Sequence, residues 1–127
     1  MPANPLRVQM HVDTSLPKRV LVTVVYDNVS DQPIWIEKDG LNLFVYCEGA
    51  PIMDIGPSEK RRAPTLADFE QVAPGKSTTR QADIAQQFDW RPGRHVYTLK
   101  TSGSYDDPVA HRIVDGPAVK VEFSLSR

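Results

Sequence analysis

The segment 72-VAPGKSTTRQ-81 carries the Gly-Lys-Ser order that closes a phosphate-binding loop. Such a loop reads G-x-x-x-x-G-K-[S/T] between a buried strand and a helix, so that backbone amides and the lysine cradle phosphate. With Gly75 as the second glycine, the first belongs at position 70, where Glu70 stands and its charge repels a phosphate. Thr78 and Thr79 are β-branched, and the run to Ile84 has no amphipathic helical stripe. Pro74-Gly75 therefore reads as a strand-to-strand corner.

Other reactive side chains are scattered. His11, His95 and His111 are far apart, and none belongs to an H-E-x-x-H or paired Cys/His pattern. His11 alternates outward on its strand, whereas His95 shares the dry side with Tyr97 as a hydrogen-bonded structural histidine. Cys47 falls on one face with Leu41, Leu43 and Val45 and reads as a buried, inert thiol. No G-x-S-x-G elbow occurs. Asp106 and Asp107, with Asp115 nearby, have the oxygen chemistry of a hard-cation site but not the spacing of a calcium loop. The residues assign no catalytic, cofactor or metal site, and the expectation is a chain that is not an enzyme and uses no cofactor.

The segments around these residues are short and β-rich. In 6-LRVQMHVD-13 and 118-AVKVEFSLS-126 apolar and polar residues alternate with period two, which gives strands with one wet face. The run 18-KRVLVTVVYDN-28 is apolar on both sides and suits a central strand. Further strands are expected at 34-IWIEK-38, 41-LNLFVYCE-48, 52-IMDI-55, 69-FEQVAPG-75, 76-KSTTRQADI-84 and 95-HVYTLKT-101, with at most one short helical turn near 85–90. Eleven prolines and seven glycines punctuate the chain as corners. The pattern predicts an all-β, antiparallel β-sandwich of seven to eight strands, with a closed barrel as the rival. Phe88 and Trp90, in 88-FDWRPG-93, are expected to fold back and plug one end.

The 127 residues fit one domain, 1–127, able to bury roughly two thirds of its unfolded surface. One cysteine excludes an internal disulfide, and fifteen basic against sixteen acidic residues leave a formal charge of −1. That balance argues against nucleic acid or an anionic membrane as partner. The first residues show no signal peptide, and no apolar run approaches the ~20 residues that span a bilayer, so a cytoplasmic location is expected.

The passage 69-FEQVAPGKSTTRQADIAQQFDWRPGRHVYTL-99 has the grammar "apolar-x-PG-x-S", an irregular segment, then "PG" leading into an aromatic strand, and 21-LVTVVYDNVSDQPI-34 supplies a strand followed by N-x-S-D-x-P. Together they resemble small bacterial immunoglobulin-like domains: the intracellular proteinase inhibitors, and the domain preceding deuterolysin-type zinc metalloproteases. The resemblance covers about residues 20 to 101 and implies an immunoglobulin-like sandwich. His95 stands where the pattern has an aromatic, with Tyr97 two residues on.

Sandwiches present function on end loops and open edges. The loop 58-SEKRRAP-64 gathers Lys60, Arg61 and Arg62, suited to an acidic surface. The connection from Ser102 to Pro117 carries Tyr105, Asp106, Asp107, His111 and Arg112 and is long for a loop without structure of its own. The expectation is a protein-binding module, most concretely an inhibitor or immunity-type protein that caps a protease or toxin by loop or edge-strand contact. A structural or accessory domain, homo-oligomeric (a homodimer through the same edge) or an adaptor, and a small-molecule or metal-binding sandwich are the alternatives.

Overall fold

The computed structural model describes residues 6–37, 43–56, 65–101, 104–107, 109, 112–115 and 118–127. Its strands are β1 (Leu6–Asp13), β2 (Leu21–Asn28), β3 (Ile34–Glu37), β4 (Leu43–Cys47), β5 (Ala50–Pro51), β6 (Phe69–Val72), β7 (Ser77–Asp83), β8 (Arg94–Thr101), β9 (Ser104–Asp107), β10 (Arg112–Asp115) and β11 (Lys120–Ser126). Among the described residues no helix is long and apolar enough to cross a membrane.

Every strand pairing is antiparallel. One sheet has the order β1-β2-β7 and the other β11-β8-β4-β5; β3-β6 and β9-β10 form separate pairs. The larger sheets keep distinct edges and stack as a β-sandwich, not a barrel. The apolar run of β2 takes the central place in its sheet, as its two-sided character requires.

Strand alternation decides what enters the core. Val20, Val22 and Val24 face Leu43, Val45 and Cys47 of β4, Tyr97 and Leu99 of β8, and Phe123 of β11, all buried in one cluster. Each such aliphatic side chain contributes about 1.5–3 kcal/mol when removed from water. A second cluster of Leu6, Ile34, Ile36 and Val72 fastens the β3–β6 pair beside β1 and β2.

One end is closed as the aromatic pair suggests. Phe88 is buried, and Trp90 lies edge-on to Tyr97 and Phe123 with ring centroids 4.9 and 5.9 Å away. The indole N–H is satisfied by Ala85 O at 2.9 Å, so the polar tip adds no desolvation cost. Tyr97 is fully buried, and its hydroxyl accepts the Arg91 amide at 3.0 Å, six residues upstream.

The expected helical turn near 85–90 is a hydrogen-bonded turn, Gln87 N to Ile84 O, and residues 87–89 go on to pair with 53–55. Pairing with a neighbouring segment satisfies these backbone groups better than an isolated helical turn would. A single-turn 3₁₀ helix occurs instead at Leu66–Asp68, where Asp68 reaches back to the Thr65 amide at 2.7 Å. The strands number more than eight because two-residue β5 and the β9–β10 pair add to those the alternation identifies. The stretch 102–117, read as a long unstructured connection, holds that pair as a β-hairpin: its β-branched Ile113-Val114 suits a strand, and pairing with β9 satisfies backbone groups that a bare loop leaves to water.

Tight corners use positive φ. Glu48 and Gly49, with φ of 52° and 81°, link β4 to β5 in a two-residue turn whose hand matches strand twist. Gly75, with φ 75°, turns β6 into β7. That turn is locked to β2: Gly75 N donates to Asn28 O and Asn28 N to Lys76 O, both at 2.9 Å.

Candidate interaction surface

The Gly-Lys-Ser stretch is indeed a corner followed by a strand. Beside it lies a shallow cleft of about 250 Å³ lined by Arg7, Asp27, Asn28, Lys76 and Ser77, among others. Arg7 and the Ser77 hydroxyl already have an anion of their own. Asp27 accepts from the Ser77 hydroxyl and from Arg7 Nε at 3.4 Å. The Ser77 hydrogen bond, helped by Arg7, holds the Asp27 carboxyl below the usual carboxylate range. An incoming phosphate meets that carboxylate.

Other reactive side chains stay apart. His11 is exposed on β1, in one sheet, while His95 on β8, in the other, bonds through Nε2 to Pro92 O at 2.9 Å. Cys47 is fully buried. Among the described residues no group of three or more His, Cys, Asp or Glu is placed to hold a metal.

Lys60, Arg61, Arg62 and His111 lie outside the described residues. Tyr105, Asp106 and Asp107 fall on β9 and Arg112 on β10, where the register sets Arg112 opposite Asp107 and Val114 opposite Tyr105. The hairpin thus gathers four of the expected contact residues on one two-stranded unit, with β9 running beside β3.

A further surface emerges on the outer face of the four-stranded sheet. Alternation that buries Leu43, Val45 and Cys47 turns Phe44 and Tyr46 outward. On β8 the same rule turns out Arg94, Val96, Thr98 and Lys100. Phe44 is 51% exposed and Val96 56% exposed, while Tyr46 is half-buried between their rows. Lys100 Nζ lies over the Tyr46 ring, 4.7 Å from its centroid, a cation–π contact. Registration continues each row: Phe44 with Lys100 and Lys120, Tyr46 with Thr98 and Glu122, Val96 with Ser124. The face is an apolar diagonal with a basic margin of Lys100, Lys120 and Arg94 and an acid, Glu122, in the Tyr46 row.

Sequence reasoning passed over this face although its signal was present. In 43-LFVYC-47 both alternating sets are apolar, which demands either a second covering layer or an exposed apolar surface.

No protein-family profile matches the sequence, and no curated protein shows significant similarity to it.

Proposed function

We propose that this chain is a non-catalytic protein-binding module that docks its partner on the outer face of β5-β4-β8-β11. The carrying observation is the half-exposed pair Phe44 and Val96 flanking Tyr46 on a rigid sheet. Side chains on a paired strand lose little conformational freedom on docking, so more of the contact energy appears as affinity. An aromatic-rich centre inside a charged margin is the usual layout of an interface hot spot.

The charge of the margin favours a different protein over a second copy. A two-fold dimer on this face sets two surfaces with the same excess of positive charge against each other. A partner with carboxylates around an apolar centre meets attraction instead.

An immunoglobulin-like topology accompanies this reading. It is supported by the Tyr97 hydroxyl, which reaches back to the Arg91 amide near the start of β8 in the manner of the tyrosine corner of such sandwiches. Inhibition of a protease, or immunity to a toxin, is the most specific form of the proposal and follows from the resemblance in turn grammar.

A photocrosslinking amino acid at position 44, compared with one at exposed Gln81 on β7, tests the surface. The expected result is a discrete adduct from position 44 alone, competed by unlabelled protein and weakened at high salt. Identical adducts from both positions, or loss of no adduct on competition, would rule out this face.

A further inference from the structure

At one end of the sandwich, sharing Arg94 and Ser124 with the border of the docking face, the loop between β1 and β2 and the C-terminal part of β11 flank a cleft of about 370 Å³. Its walls carry Lys18, Arg19, Arg94 and Arg127, and among the described residues no acidic side chain lines it. A chain with nearly balanced charge has thus set four cations on one concavity.

Local geometry fixes both walls. Asp13 anchors the loop by accepting Ser15 N at 2.9 Å and Ser15 Oγ at 2.6 Å. Arg19 N then closes a turn on Leu16 O, with Pro17 and Lys18 at its centre. On the opposite wall, Arg94 pairs in register with Ser126, and the backbones of Gly93 and Arg127 exchange two hydrogen bonds. Among the described residues no hydrogen bond or close ion pair engages the side chains of Lys18, Arg19 or Arg94. Asp83 offsets part of the charge, since its carboxylate interacts at longer range with Arg19 and Arg127.

A second observation concerns Lys18 itself. Its φ of 61° places a lysine at the left-handed position of a Pro-Lys turn, where glycine or asparagine fits without steric cost. Non-glycine residues in such conformations persist where the surrounding structure imposes them, and they cluster at functional sites. Hydroxyls of Thr14, Ser124 and Ser126 add neutral donors, and Leu16, Pro17 and Leu125 supply an apolar wall.

We propose that this cleft binds a small phosphorylated organic molecule. The guanidinium and ammonium groups take the phosphoryl oxygens, for which arginine forks are suited, and the apolar wall takes the carbon body. The volume falls within the ~300–1,000 Å³ of small-molecule pockets and exceeds what a bare phosphate fills. In the Gly75 cleft Asp27 occupies Arg7 and Ser77; here Arg127 Nη2 donates to Ala85 O at 2.7 Å, while the side chains of Lys18, Arg19 and Arg94 are open.

Calorimetric titration at low ionic strength with phenyl phosphate, glucose 6-phosphate, glucose and inorganic sulfate tests the proposal. The expected result is saturable binding of the two phosphate esters and none of glucose. Lys18→Asn with Arg19→Gln weakens it about tenfold or more. Phe44→Ser, on the docking face, leaves it unchanged. Lys18→Asn alone raises the melting temperature by about 2–4 °C, because it relieves the turn while removing a ligand contact. No saturable binding up to about 10 mM ester would overturn the proposal. So would sulfate binding as tightly as the esters, affinity unmoved in the double variant, or affinity lost in Phe44→Ser.

Discussion

Asn28 ties three segments together through one side chain, and its replacement by aspartate separates shape from hydrogen bonding. The residue is 1% exposed. Its Nδ2 donates to Gln32 O at 2.7 Å and Val72 O at 2.9 Å, while Oδ1 accepts Ser30 N at 3.0 Å and Ser30 Oγ at 2.7 Å. Asn28→Asp keeps the outline and both acceptor contacts but turns two donors into a carboxylate oxygen aimed at two carbonyls. A buried acceptor left without its donor costs about 1–3 kcal/mol, and an unpaired charge adds to that. The loss at neutral pH is therefore about 4 kcal/mol, or roughly 15 °C in Tm for a domain of this size. Burial and the facing carbonyls raise the new carboxyl's folded-state pKa above its unfolded value near ~3.9. The variant is then closest to the parent below that unfolded value and loses ground as pH rises through the folded one. Thermal unfolding by circular dichroism between acid and neutral pH, with the parent protein as reference, measures both effects. A variant within about 2 °C of the parent at neutral pH, or a gap that narrows as pH rises, would refute the reasoning.

Tyr97→Phe removes the acceptor of the Arg91 amide and leaves the ring in place, so urea unfolding is expected to show a loss of about 1–2 kcal/mol with an unchanged slope. The Asp83 carboxyl lies below the usual range because it accepts the amides of Ala85 and Val20, with Arg19 and Arg127 assisting. A depressed folded value contributes stability that is present above the unfolded pKa and lost as pH falls through the folded one. Asp83→Asn is accordingly less stable than the parent at neutral pH, and the two unfolding midpoints converge on acidification. Glu48→Asn suits the left-handed position opening the β4–β5 turn, and chemical denaturation is expected to show a gain of about 0.5–1 kcal/mol.

Legibility followed the range over which the responsible physics acts. The alternation of β1 and β11 and the two-sided apolar run of β2 depend on neighbours along the chain, and these elements stand where the pattern sets them. Pro74-Gly75 was readable as a corner for the same reason. Asn28 was readable as a turn residue but not as a buried one, since its partner Val72 arrives from β6, which no local pattern indicates. The small β9–β10 pair escaped notice because Ser104–Asp107 is mostly polar and shows no alternation of apolar and polar residues. Lys18, Arg94 and Arg127 meet only after β8 and β11 pair and the β1–β2 loop folds over their end, so no spacing in the sequence announces their cleft. The outer face of β4 differs: its apolar residues are written plainly in the strand, and what the chain alone leaves open is whether another layer lies over them.

The enclosed thiol of Cys47 also provides a native gauge of opening. It is the chain's single cysteine and has no solvent access while the sheets stay together. A maleimide dye therefore modifies only molecules whose layers have parted, and the rate of modification reads the equilibrium between shut and parted forms. The same inertness frees the outside of the protein for an introduced cysteine, so a fluorophore can be attached at one chosen point without removing the original residue.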